Sequence, residues 1–185
     1  MKKPPSGKTL RHQVRQVLET ESFEQIEEMP PRKLVRPLVS FLGTPDPALK
    51  ERAVRALGAA VSRLAEEDME SARVVLRTLV WNLTEECGTI GFGFPEAMGE
   101  ILAHHEGLAR EFAHMLVSYI REDGNYLEFE PLQEGVVWGL ARLAESQPAL
   151  LRELDAESYL RPLSESANRL VSERATRAMR LIEVE

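Results

Sequence analysis

Four heptapeptides along the chain look alike and recur at nearly regular intervals: Glu51-Arg-Ala-Val-Arg-Ala-Leu57, Pro95-Glu-Ala-Met-Gly-Glu-Ile101, Glu134-Gly-Val-Val-Trp-Gly-Leu140 and Glu173-Arg-Ala-Thr-Arg-Ala-Met179. Their small or β-branched positions, Ala53, Ala97, Val136 and Ala175, lie 44, 39 and 39 residues apart. Each is followed four residues later by Leu57, Ile101, Leu140 or Met179. A small residue lets two helices approach closely, and a larger apolar residue one turn on fills the gap to the next unit. A period near 40 residues leaves room for two helices per unit. Such a pair cannot bury its apolar face alone, so the units must stack to make a core.

Apolar residues recur at three- and four-residue spacing nearly throughout, and no alternating run marks a strand. Proline and glycine punctuate the pattern at Pro30-Pro31, Gly43 to Pro47, Gly88 to Pro95, Gly107, Asp123-Gly-Asn125, Pro131 and Pro148. The predicted helices are 7–20, 22–29, 31–42, 47–65, 69–84, 94–105, 107–121, 131–146, 149–163 with a break near Asp155, and 167–183. The expected fold is all-α: a right-handed α-α superhelix of about four helix pairs over residues 30–185, with residues 1–29 as an N-terminal helical cap.

The helix pairs resemble HEAT-like repeats of the kind found in phycobilisome lyase-type proteins. The segment Trp81-Asn-Leu-Thr-Glu-Glu-Cys-Gly-Thr-Ile-Gly-Phe-Gly-Phe-Pro-Glu-Ala-Met-Gly-Glu100 resembles a box in an uncharacterised bacterial HEAT-repeat family. Trp81, Glu85, Glu86, Gly88, Ile90, Gly91, Pro95, Glu96, Ala97, Gly99 and Glu100 match that pattern. Cys87 stands where the family pattern has serine, and Phe92 where it has tryptophan. The resemblance implies an armadillo-type α-solenoid and carries no assigned activity.

The composition is that of a globular protein, with 43% hydrophobic and 29% charged residues. No apolar run approaches the roughly 20 residues that span a membrane. The N-terminus has no apolar stretch of the signal-peptide kind. The single cysteine, Cys87, leaves no internal disulfide or multi-cysteine metal site. The expectation is a cytoplasmic protein without membrane contact.

The net charge of −7 is unevenly spread. Residues 1–16 carry +5, 17–29 carry −5, 30–63 carry +5 and 64–147 carry −11. The acidic middle repels a phosphate backbone, which argues against nucleic acid as the partner. The basic N-terminal half keeps nucleic-acid binding as a second alternative.

The glycine- and aromatic-rich stretch 88–94 interrupts the helical pattern. It is no phosphate loop, because no Gly-Lys-Ser/Thr follows and no strand precedes. Pro95 suits a first helical turn, and Glu96 complements the helix dipole. Two readings stand: a loop folded over the edge of the array with Ile90, Phe92 and Phe94 as plugs, or a binding loop. A second long loop, Glu122-Asp-Gly-Asn-Tyr-Leu-Glu-Phe-Glu130, falls at the equivalent point of the next unit. Stacked units place equivalent loops side by side. The expected binding edge therefore comprises Glu85, Glu86, Gly88, Ile90, Gly91, Phe92, Gly93 and Phe94 of the first loop, with Glu122, Asp123, Tyr126, Glu128, Phe129 and Glu130 of the second. Aromatic anchors ringed by acids suit a protein partner with a basic or cationic surface. Trp138, on a second helix of a pair, is a candidate for the concave face.

One alternative is chemical. Glu96, Glu100 and His104 at i, i+4 and i+8 share a helix face and offer ligands for a divalent metal or an acid–base pair. Their plainer reading is a helix cap, an exposed ion pair and surface histidines. HEAT-repeat hydroxylases use repeated His-Glu pairs, and His105-Glu106 is the single such dipeptide here. The chain thus reads as a non-enzymatic protein-binding adaptor needing no cofactor, with the Glu96/Glu100/His104 enzyme as the alternative.

Overall fold

A computed structural model describes residues 7–21, 23–84 and 91–183. The described residues form eleven helices: α1 (Gly7–Glu19), α2 (Phe23–Glu27), α3 (Pro31–Val39), α4 (Pro47–Glu67), α5 (Met69–Thr84), α6 (Phe94–His104), α7 (Glu106–Ser118), α8 (Glu130–Ala144), α9 (Pro148–Glu153), α10 (Ala156–Ser164) and α11 (Arg169–Glu183). No strand occurs among them. The chain is an all-α superhelical repeat. Its inner row is α4, α6, α8 and α11, each packed on the next, and α3, α5, α7 and α9–α10 form the outer row. Helices α1 and α2 pack on α3 and α4.

Local chemistry sets the boundaries. The Asp46 carboxylate accepts from Ala48 N at 3.0 Å and Leu49 N at 3.2 Å, capping α4, and Pro47 fills the first turn. His105 ends α6 and caps α7, its Nδ1 accepting from Leu108 N at 3.2 Å. The break expected near Asp155 is there: that residue takes φ +51° between α9 and α10. Gly93, before α6, has φ +79°, and a Cβ on it would sit 2.6 Å from the Leu42 carbonyl oxygen.

The four aligned small positions, Ala53, Ala97, Val136 and Ala175, are fully buried, as are Leu57, Ile101 and Leu140. Each of those three larger side chains contributes about 1.5–3 kcal/mol by leaving water. A close backbone approach, however, is made by Gly99 of α6 and Gly139 of α8. A Cβ on Gly99 would lie 2.2 Å from Gly139 Cα, and one on Gly139 would lie 2.7 Å from the Pro95 carbonyl oxygen.

Tyr119, at the end of α7, is fully buried, and its hydroxyl has no hydrogen-bond partner among the described residues. Burial pushes its phenol up to about 12. A raised folded value means that stability is intact below the unfolded value near 10 and falls as pH climbs toward the folded one. Tyr119→Phe removes an unsatisfied buried group and is expected to raise the unfolding free energy by up to ~1 kcal/mol at neutral pH. It should also remove the part of the alkaline stability loss above pH ~10 that this phenol contributes. Urea unfolding at two pH values checks both.

Candidate functional site: a groove along the inner helices

Side chains of the inner row line a continuous groove. One part, of about 570 Å³, runs between Arg55 of α4, Glu100 of α6, Trp138 and Arg142 of α8, and Arg177 of α11. The other, of about 350 Å³, opens toward the loop edge between Pro45, Lys50, Phe92, Pro131 and Trp138. Glu51, Trp138 and Arg174 line both, so Trp138 sits where the two parts meet. Its indole is half-buried and packs on the core.

The register explains the lining. Arg55, Trp138 and Arg177 each lie two residues after the aligned small position of their helix, so three equivalent side chains point into one groove. The equivalent position on α6 is Gly99. The +2 positions of the repeat register point to Arg55 and Arg177 from sequence; Arg174, the basic groove neighbour, stands at −1, where the other repeats carry Arg52, Glu96 and Gly135.

Charge crosses the groove as a ladder. Lys50 Nζ of α4 donates to Glu96 Oε1 of α6 at 2.6 Å. Glu100 Oε2 of α6 accepts from Arg142 Nε of α8 at 2.9 Å, and its Oε1 lies 2.9 Å from His104 Nε2. Arg142 also pairs with Glu145 at 2.9 Å, and Glu145 pairs with Arg177 of α11. Burial by itself would push the Glu100 carboxyl up, but hydrogen bonds from His104 and Arg142 and the Arg142 charge hold it below its ordinary range.

This corrects the exposed setting expected of the Glu96, Glu100 and His104 row. Glu96 and Glu100 are 8% and 3% exposed, buried between neighbouring inner helices, and only His104 reaches the surface. Glu96 Oε1 is taken by Lys50, and the two Glu100 oxygens by Arg142 and His104. Among the described residues no three His, Cys, Asp or Glu side chains are grouped as metal ligands.

The two long loops contribute unequally. Phe92 and Phe129 meet with ring centroids 6.0 Å apart and planes inclined by 57°, and both are exposed. Since Phe92 also lines the groove, this aromatic pair stands at its mouth. Phe94 turns inward and packs on the core. Gly91 and Gly93 are buried, Gly91 beside Leu83 and Phe94 and Gly93 against Leu42. Glu85, Glu86, Gly88 and Ile90 lie outside the described residues.

The acids of the second loop do not gather around the aromatics as one ring. Glu128 and Glu130 flank Phe129 in sequence and are exposed, with no ion-pair partner among the described residues. Asp123 pairs with Arg121 at 2.8 Å. Glu122, Asp123 and Tyr126 instead line a separate cleft of about 420 Å³ with Tyr159 and Pro162 of α10. The Tyr126 hydroxyl accepts from Gln133 Nε2 at 3.0 Å. Trp81, the first residue of the box, is 63% exposed on α5.

No known protein-family profile matches the chain. An uncharacterised protein of Archaeoglobus fulgidus is 29% identical over 120 residues, covering 65% of this chain and 57% of the relative. The chain therefore spans little more than half the length of that relative. Two crystal structures of engineered proteins are similar in fold. One has a TM-score of 0.55 at 18% identity, over 97% of this chain and 75% of the other. The second has a TM-score of 0.54 at 17% identity, over 86% of this chain and 42% of the other. These likenesses bear on the fold, which is a helical repeat built by stacking helix pairs.

Proposed function

We propose that the chain is a protein-binding helical-repeat adaptor. Its partner is an extended segment that places an apolar or aromatic side chain against Trp138 and passes Phe92 and Phe129 at the mouth of the groove. The observation that carries this reading is the exposed Phe92–Phe129 pair, 6.0 Å between centroids, at the entrance to a groove floored by an indole. Aromatic side chains supply large contact area at small entropic cost and are the usual anchors of interfaces. Outside the groove, Glu128 and Glu130, which have no ion-pair partner among the described residues, favour a basic residue of the partner next to its anchor.

Two observations favour binding over the alternative chemistry at Glu96, Glu100 and His104. The two carboxylates are held by cations of neighbouring helices, and the ladder joins all four inner helices rather than converging on one reacting position. The HEAT-like class of the repeats belongs with this proposal and rests on the 39–44-residue spacing and the Trp81 to Glu100 box.

Selection of peptides from a displayed library on the immobilised chain tests the reading. The selected peptides are expected to carry Lys or Arg beside an aromatic or large aliphatic residue. Phe92→Ala/Phe129→Ala should weaken them at least ~10-fold, and Glu128→Gln/Glu130→Gln a few-fold, about 3-fold, mainly through association rate. Peptides without basic residues, or unaffected by both variants, would contradict it.

A further inference from the structure

A second surface lies away from the groove, where α1 packs on α3. Leu10, Arg11, Arg32, Lys33, Arg36 and Pro37 line a cleft there of about 550 Å³. Among the described residues its lining holds four cations and no carboxylate. Two of the cations are committed. Arg32 donates to Asp68 at 2.6 Å and Ser71 at 2.7 Å. Arg11 donates to Ser40 Oγ at 2.9 Å and lays its guanidinium 4.7 Å from the centre of the Phe41 ring. The other two, Lys33 and Arg36, are exposed one helical turn apart and have no carboxylate partner among the described residues. Leu10 and Pro37 add apolar wall beside them.

We propose that this cleft docks an acidic amphipathic segment of a second protein. Lys33 and Arg36 meet its carboxylates, and Leu10 and Pro37 receive an apolar side chain. Charge complementarity selects this occupant. The chain's own first residues carry Lys2 and Lys3 and are repelled by a cationic cleft. Nucleic acid fits less well. Its affinity needs a track of cations along the backbone, whereas residues 64–147 carry −11. Single strands also need aromatic faces for their bases, and Phe41, the ring at this cleft, is covered by Arg11 and 2% exposed. The cleft is independent of the groove, and its sign is opposite to that of the rim acids Glu128 and Glu130. With both sites, the adaptor would join two partners of opposite charge.

Fluorescence anisotropy with the full chain tests this. The probe is a labelled ~20-residue helical peptide with Leu at i, i+3, i+4 and i+7 and Glu elsewhere. Its comparators are a scrambled peptide of the same composition and an oligothymidine of similar length. Saturable binding of the patterned peptide is expected, weakening as salt rises. Lys33→Glu/Arg36→Glu should weaken it at least ~10-fold, and Lys33→Gln/Arg36→Gln by an intermediate amount. Both Lys33 and Arg36 are exposed, and an unchanged melting curve verifies that the variants fold. Phe92→Ala/Phe129→Ala should leave this binding unchanged, which separates the cleft from the groove. Equal affinity for the scrambled peptide, tighter binding of oligothymidine, or indifference to charge reversal would overturn the proposal.

Discussion

Gly99→Ala is expected to lower the unfolding free energy by about 3 kcal/mol, at the upper end of what overpacking ordinarily costs. The added Cβ would lie 2.2 Å from Gly139 Cα, and its other neighbours are the Gly139 carbonyl carbon and oxygen. No side chain can rotate away, so α6 and α8 must separate and the buried Ala97, Ile101, Val136 and Leu140 lose contact together. Helix propensity works the other way, favouring alanine over glycine by about 1 kcal/mol, and the clash outweighs it. Gly139→Ala meets the Pro95 carbonyl oxygen at 2.7 Å and is expected to cost less. The double variant should cost less than the sum, because helices already forced apart by one methyl accommodate the second. Urea unfolding followed by far-UV circular dichroism measures all three. A Gly99→Ala protein as stable as the parent would show that the seam is looser than described.

The second large effect is expected at Glu100. Glu100→Ala removes a carboxylate 3% exposed that accepts from Arg142 and His104. Removing one partner of a buried pair costs about 3–5 kcal/mol. Here the Arg142 side chain is 30% exposed and keeps Glu145, so about 2 kcal/mol is expected. Glu100→Gln, which retains one acceptor oxygen, should cost less. The pH dependence follows from the lowered Glu100 value. The unfolded carboxyl titrates near 4.3, so its contribution is fully present above that value and is lost as pH falls through the lower folded value. The acid-induced loss of stability below pH ~4 should therefore be shallower in Glu100→Ala than in the parent. Identical acid profiles would mean that Glu100 is not held by its partners.

The helices and their pairing were legible because 3.6-residue periodicity, proline at first turns and the Ala53, Ala97, Val136 and Ala175 register are local signals. Even the break at Asp155 is local. What the sequence hid depends on residues far apart in the chain. Lys50 lies 46 residues from Glu96, and Arg142 lies 42 from Glu100. A carboxylate row at i and i+4 looks exposed until those cations are brought against it. The Gly99–Gly139 seam was hidden for the same reason, since a glycine within a helix pattern signals nothing until its neighbour is known. The adjacency of the two loops followed from the repeat register, and the Phe92–Phe129 contact agrees with it. The division of the second loop did not follow. Its first half lies toward α10, so that Glu122, Asp123 and Tyr126 line a different cleft from the one Phe129 marks.

Trp138 gives the most direct measurement of the groove. In a Trp81→Phe background it is the single indole of the chain, and it lies where the two parts of the groove meet. Titration with a library-selected basic peptide is expected to shift its emission saturably, with the same dissociation constant as anisotropy on the labelled peptide. Phe92→Ala/Phe129→Ala should weaken both signals in parallel. Peptide binding that leaves Trp138 emission unchanged and survives the loss of both phenylalanines would contradict the assignment of the groove as the partner site.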